Sequence, residues 1–164
     1  MPYSATSATP LSIARHPLQC ILHEAMSAQP ECCCGLFACE NGTVFATASI
    51  INRARRLKDD CDMDIQDIRT QLHRWRQQGV HFCGIYHASS AGRIPNVAFM
   101  EKLEHTVKKA APEETEHDIV HLLLALDTEG RLEVHAFYCR QGTAIEITLA
   151  LEDDSALYPD LANG

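Results

Sequence analysis

The stretch Val80–Glu101 contains the residues best placed for chemistry. Its apolar run VHFCGIYH ends in His87, and the chain then turns through small polar residues before Pro95-Asn96 begins a helix. Histidine is the commonest metal ligand and an efficient proton carrier near neutral pH. A strand that delivers a histidine to its end, beside a loop and a helix start, therefore predicts a site in which His87 is the main ligand or acid–base group.

A second group of reactive side chains lies in the segment PECCCGLFAC, where Glu31 precedes the consecutive thiols of Cys32, Cys33 and Cys34. Neighbours along a strand point to opposite faces, so only alternate thiols can reach one site. The eight cysteines form no pair of C-x-x-C motifs, which argues against a zinc ribbon. We expect most of them to be reduced, buried core residues.

The elements that position these residues follow from hydrophobic periodicity and turn residues. Helices are expected over residues 17–26, 64–78 and 97–110, the last capped by Asn96. Strands are expected over residues 32–39, 43–51, 80–87, 118–126, 131–139 and 144–151. The order predicts an α/β domain over residues 13–151, a three-layer mixed β-sheet flanked by helices, with a disordered tail at 1–12 and an acidic tail at 152–164.

Alternation along the 80–87 strand puts His81, Cys83, Ile85 and His87 on one face and Phe82, Gly84 and Tyr86 on the other. At about 3.3 Å per residue, His81 and Cys83 lie about 20 Å and 13 Å from His87. They are too far away to share an ion with it.

Composition limits the classes of partner. The formal net charge of −8 makes nucleic acid an unfavourable partner, so we expect a neutral protein or one with a basic face. No apolar run approaches the roughly 20 residues that span a bilayer. The N-terminal residues lack the pattern of a signal peptide, so the expected location is the cytoplasm, with no membrane partner.

With these features the chain resembles the JAMM/MPN (Mov34, JAB) metalloprotease domain, a fold of cytidine-deaminase-like type, and the small prokaryotic members in particular. The resemblance covers roughly residues 16–150. It rests on the opening helix, the Pro30–Leu36 strand, Asn52, the helix ending at Gly79, and the Gly-Ile-Tyr-His run at 84–87. It implies a zinc-dependent (iso)peptidase acting on the tails of ubiquitin-like proteins, including bacterial sulfur carriers.

The family's zinc site uses two histidines in a His-x-His-Pro turn, an aspartate in the next helix and a glutamate base. His87 matches the first histidine, but Ser89 and Ser90 replace the second histidine and the proline, and Phe99 stands at the aspartate position. Met100 is a poor zinc ligand and Glu101 faces about 200° away around the helix. The position of the base is Cys32, and only a β-bulge at the triplet would bring Glu31 there.

These departures favour a degenerate domain, a pseudoenzyme that acts in protein interaction or binds a ubiquitin-like or sulfur-carrier tail. An extended peptide could add to the 80–87 strand or occupy a groove beside it. The groove is expected to be lined by Tyr86, Ser90 and Asn96.

Two alternatives remain open at this stage. One is a divergent zinc peptidase using His87 with Cys32 or Glu31, so that the cofactor is either zinc or none. Another is a Cys32 nucleophile activated by His87. His121 and His135 lie on adjacent predicted strands and could pair across them, but we expect them to be core or rim histidines. Glu113, Glu114 and Glu116 are expected to form a solvated loop.

Overall fold

The computed structural model describes residues 10–88, 95–126 and 129–152, in which eight strands and three helices follow one another. The strands are β1 Leu11–Ala14, β2 Cys33–Glu40, β3 Thr43–Ile50, β4 Phe82–Ala88, β5 Val120–Leu126, β6 Leu132–Arg140, β7 Thr143–Ile147 and β8 Leu149–Glu152. The helices are α1 Arg15–Ala28, α2 Ile65–Gln77 and α3 Val97–Ala110, with a one-turn 3-10 helix at Pro112–Glu114. The chain therefore has the α/β class that its sequence predicts.

All eight strands belong to one mixed sheet with the order β7-β6-β5-β4-β2-β3-β1-β8. The β4–β5, β1–β3 and β1–β8 pairs are parallel, and the remaining pairs are antiparallel. The two outermost strands, β7 and β8, are consecutive in the chain and are separated only by Thr148. The sheet therefore curls until its two edges approach closure.

The helices cover both faces of this sheet. Successive β2 residues point into the two different cores: Leu36 packs with α2 and α3, and Phe37 packs with α1. The α2 contribution is Ile68, Leu72 and Trp75, at the helical spacing that the sequence predicts. His87 lies at the end of the central strand β4, on the face that α3 covers.

The two helices near His87 begin and end as their sequences predict. The Asn96 side chain accepts a hydrogen bond from the Phe99 amide and caps α3, and Asp64 caps α2 in the same way through the Asp67 amide. Gly79 follows α2 with φ of 71°, a conformation that glycine adopts without steric cost. The Asn96 cap fixes the start of α3 at Val97 and so places Phe99 in the first turn of this helix.

The N- and C-terminal strands differ from the predictions. Strand β1 begins at Leu11, inside the segment expected to be a disordered tail, because it pairs in parallel with both β3 and β8. The single strand expected at 144–151 is two strands, since the chain moves from one edge of the sheet to the other at Thr148. Four-residue strands held by distant partners leave little local pattern in the sequence.

The predicted alternation of β4 is wrong at its N-terminal half. The register with β2 shifts where Phe37 pairs with Gly84 and Ala38 pairs with Phe82. Because of this bulge at Cys83, the Phe82 side chain packs in the core between the sheet and helices α2 and α3. The Cys83 side chain packs in the core between the sheet and α1. Strand addition to β4 is also excluded, because β2 and β5 already occupy both of its edges.

Candidate functional site

His87 is enclosed at the end of β4. Its residue exposure is 2%, and two rings pack edge-on against its imidazole. The Phe99 ring lies 5.2 Å away and the His121 ring 5.5 Å away, measured between centroids. Phe99 comes from the first turn of α3, and His121 comes from β5, the parallel neighbour of β4.

Neither ring nitrogen of His87 has a hydrogen-bond partner in the described part of the chain, and neither does His121 Nδ1. Burial first, and the nearby His121 second, together lower the pKa of His87 to about 3. His87 is therefore a neutral imidazole in an apolar setting, where unsatisfied polar atoms carry a desolvation cost.

The residues that the sequence resemblance aligns with a zinc site do not fit the ion. Phe99 offers no donor atom and covers His87, while Met100 is fully buried against Leu123 and Phe137. Glu101 is exposed on the outer side of α3, as the helix geometry predicts. Ser89 and Ser90 lie outside the described residues. One imidazole without a carboxylate is too small a ligand set for zinc.

The two candidates for base or nucleophile do not meet His87. Glu31 is exposed before β2, and the β2–β4 register is regular from Cys33 to Phe37, so no bulge lies at the cysteine triplet. The Cys32 thiol donates to the Lys58 carbonyl at 3.3 Å. The residue directly across from His87 is Cys34, whose thiol donates to the Ile50 carbonyl. The sequence-based choice of Cys32 was therefore two residues out of register.

Tyr86 does not belong to a groove with Asn96. It is buried on the opposite face of the sheet, where its hydroxyl donates to the Glu24 carboxylate of α1. Asn96 is exposed, but its side chain is occupied by the α3 cap. Because successive β4 residues face opposite layers, Tyr86 and His87 cannot line the same groove.

A group of metal-ligating side chains that the sequence analysis did not identify lies on the other side of His121. One ligand atom from each of Glu104, His121 and Cys139 lies within 4.8 Å of the others. His121 Nε2 is 3.1 Å from Glu104 Oε1, and the two side chains are 0% and 12% exposed. His121 pairs with Phe137 across β5 and β6, so Cys139, two residues further, shares its face of the sheet.

This group had a partial signal in the sequence. His121 interrupts the apolar run VHLLLAL. Glu104 follows the buried Leu103 on α3, a helix whose buried face is otherwise made of apolar residues at helical spacing. The β5–β6 register was needed to bring Cys139 to them. Burial, followed by the charges of Glu104 and Glu101, raises the pKa of the Cys139 thiol to about 11.

The other predicted polar sites have local partners. His135 lies between Glu133 and Glu146, at 3.1 Å and 3.4 Å, so it does not pair with His121. Glu113 and Glu114 form the one-turn 3-10 helix and reach the Arg76 guanidinium. Each of these side chains is therefore engaged in a local polar contact.

Comparison with known proteins establishes similarity of fold. No protein-family model matches the chain, and no curated protein matches it. The solution structure of protein DSY2949 from Desulfitobacterium hafniense is similar, with a TM-score of 0.67 over 87% of this chain and 93% of that one. The sequence identity is 16%, so this likeness concerns the fold alone.

None of the helices in the described ranges has the length and apolar character needed to cross a bilayer.

Proposed function

We propose that the protein is a degenerate JAMM/MPN-like domain that binds the tail of a ubiquitin-like or sulfur-carrier protein without hydrolysing it. The observation that supports this proposal is that Phe99 covers His87, which leaves the imidazole buried beside a phenyl ring and not a metal-ligating carboxylate. The domain would act in the cytoplasm as a binding module.

Metal-dependent hydrolysis requires an ion with an open coordination position for water and a carboxylate that accepts the proton of that water. At the matching place the protein offers a 2% exposed imidazole and a phenyl ring. The acid nearest in sequence to the position of the base, Glu31, is on the surface before β2. The 2% exposure of His87 therefore leaves little of its surface open to a substrate carbonyl or water.

The edges of the sheet indicate where an extended tail binds. With β4 internal, the strands with unpaired edges are β7 and β8 among the described residues. Strand β8 carries Leu151, which is 58% exposed, beside the half-buried Leu149. The two edges approach each other but are not paired among the described residues, so the backbone of β8 is free to accept an added strand through hydrogen bonds. The net charge of −8 suits a carrier with a basic face.

The test is calorimetric titration of the full chain with a ubiquitin-like sulfur carrier and with the same carrier lacking its C-terminal tail. We expect binding of the intact carrier and at least tenfold weaker binding of the truncated one. Leu151→Glu should weaken binding of the intact carrier at least tenfold. Met26→Glu is the matched control, because Met26 is 66% exposed on α1, away from the β8 edge. Absent or tail-independent binding would overturn the proposal.

The second candidate function is a divergent zinc-dependent (iso)peptidase that uses His87 with Cys32 or Glu31, and it requires a conformation in which one of these side chains reaches the imidazole. The unpartnered nitrogens of His87 favour it, since a buried imidazole is a common metal ligand. This candidate requires tail cleavage that stops on chelation and in His87→Ala. Binding without cleavage excludes it.

A further inference from the structure

Three donors of different chemistry converge where α3 crosses β5 and β6. Glu104 contributes a carboxylate from the helix, His121 an imidazole from β5 and Cys139 a thiol from β6, all within 4.8 Å. The three residues are 17 and 18 positions apart in sequence, so the fold alone brings them together.

The separations suit one small ion. Zinc binds nitrogen, oxygen and sulfur ligands at about 2.0 to 2.3 Å, which places tetrahedral ligand atoms about 3.3 to 3.8 Å apart. The Glu104 Oε1 to His121 Nε2 distance of 3.1 Å is already close to that spacing. The Glu104 and Cys139 side chains are partly exposed, so they can rotate to bring the remaining donors closer.

The imidazole of this group lies in a dry part of the core, where its second nitrogen is unpartnered within the described part of the chain. His121 is completely buried, and its Nδ1 has no partner among the described residues. The neighbouring His87 ring, 5.5 Å away, has two further nitrogens in the same condition. An ion held with Glu104 and Cys139 would bind His121 through Nε2, the atom beside Glu104, so the three unpartnered nitrogens are a desolvation cost of this region and not ligands of that ion.

We propose that Glu104, His121 and Cys139 form a zinc site that ties α3 to the sheet. Mixed sulfur, nitrogen and oxygen donors favour zinc over magnesium or calcium, which prefer oxygen alone. On binding, the Cys139 thiol releases its proton to solvent and the thiolate becomes the ligand. The fourth position faces the partly exposed side of the group and is available to water.

This site is separate from tail binding at β8, so each proposal can fail alone. The experiment uses the full chain, stripped of metal with a chelator and titrated with zinc, with zinc content measured after desalting. We expect one zinc per chain. Titration with cobalt(II) should produce the near-ultraviolet charge-transfer band of a thiolate ligand.

Cys139→Ala and Glu104→Gln should each weaken zinc binding at least tenfold, and Cys139→Ala should abolish the cobalt–thiolate band. The matched control is Cys20→Ala, which removes an exposed thiol that lies 3.6 Å from His16 on α1. It should bind zinc as the unaltered protein does. Circular dichroism of each metal-free variant verifies that it folds.

Failure of the unaltered protein to bind zinc would overturn the proposal. So would zinc retention in both site variants, which would place the ion elsewhere, for example at the cysteines of β2.

Discussion

The Phe99 ring packs edge-on against the imidazole of His87, with centroids 5.2 Å apart. This contact joins the first turn of α3 to the end of β4 and separates His87 from solvent. An aspartate at position 99 would have made the same place polar. The aromatic side chain converts it into part of the core between the sheet and α3.

Phe99→Ala should destabilise the protein by about 2 kcal/mol, less than the 3–5 kcal/mol of a fully buried phenylalanine because Phe99 is only partly buried. It should also admit water to His87 and raise the pKa of that imidazole. Denaturant unfolding measures the first effect and NMR titration of the histidine ring measures the second. Phe99→Leu, which keeps most of the apolar cover, is the control. An unchanged His87 titration in Phe99→Ala would contradict the role assigned to Phe99.

Acid should destabilise the metal-free protein through His87. Folding lowers the pKa of this group from 6.5 to about 3, so between these values the unfolded chain binds a proton that the folded chain does not. The stabilisation is complete above pH 6.5 and decreases as the pH falls toward 3, by up to about 1.4 kcal/mol per pH unit. The groups that face His87 are His121, with Glu104 behind it, and Cys34 across β2.

The measurement is the free energy of unfolding at several pH values with chelator present. The His87→Gln variant should show a shallower slope below pH 6.5, because glutamine does not titrate. Equal slopes for the two proteins would mean that His87 does not remain neutral in the folded state.

Zinc should protect Cys139 from alkylation. The thiolate is the reactive form of cysteine, and a metal-bound thiolate is withdrawn from reaction. With iodoacetamide and peptide mass spectrometry, the modification of Cys139 should decrease several-fold when zinc is added. The exposed Cys20 is an internal control and should react equally in both samples. Equal protection of Cys20 would show that zinc acts nonspecifically.

Gly35→Ala should test the packing on the opposite face of the sheet. A Cβ at position 35 would lie 2.3 Å from Cζ of Tyr86, so the ring would have to move and its hydrogen bond to Glu24 would break. We expect a loss of about 2–3 kcal/mol in the free energy of unfolding. Restoration of stability in the Gly35→Ala, Tyr86→Leu double variant would confirm that the clash is the cause.

Local sequence signals predict much of this fold because they act within single elements. The Asn41-Gly42 turn has the positive φ values of 52° and 77° that a two-residue hairpin requires, and it joins β2 to β3 as expected. Asn96 caps α3, and the helix spans Val97–Ala110 as predicted. Each of these features depends on a few neighbouring residues.

Features that depend on distant partners were not predictable in the same way. The bulge at Cys83 arises in the β2–β4 register, and it reverses the face of the sheet to which the side chains in the N-terminal half of β4 point. The same limitation applies to the site. His87 was correctly placed at a strand end, but the donors near it, Glu104, His121 and Cys139, meet only through the packing of α3 on β5 and β6.

Tail cleavage tests the central claim most directly. A ubiquitin-like sulfur carrier with a short C-terminal extension is incubated with the zinc-loaded full chain, and its mass is followed over time. We expect a complex in which the extension stays attached. Release of the extension, stopped by chelator and absent with His87→Ala, would contradict it and identify an active peptidase.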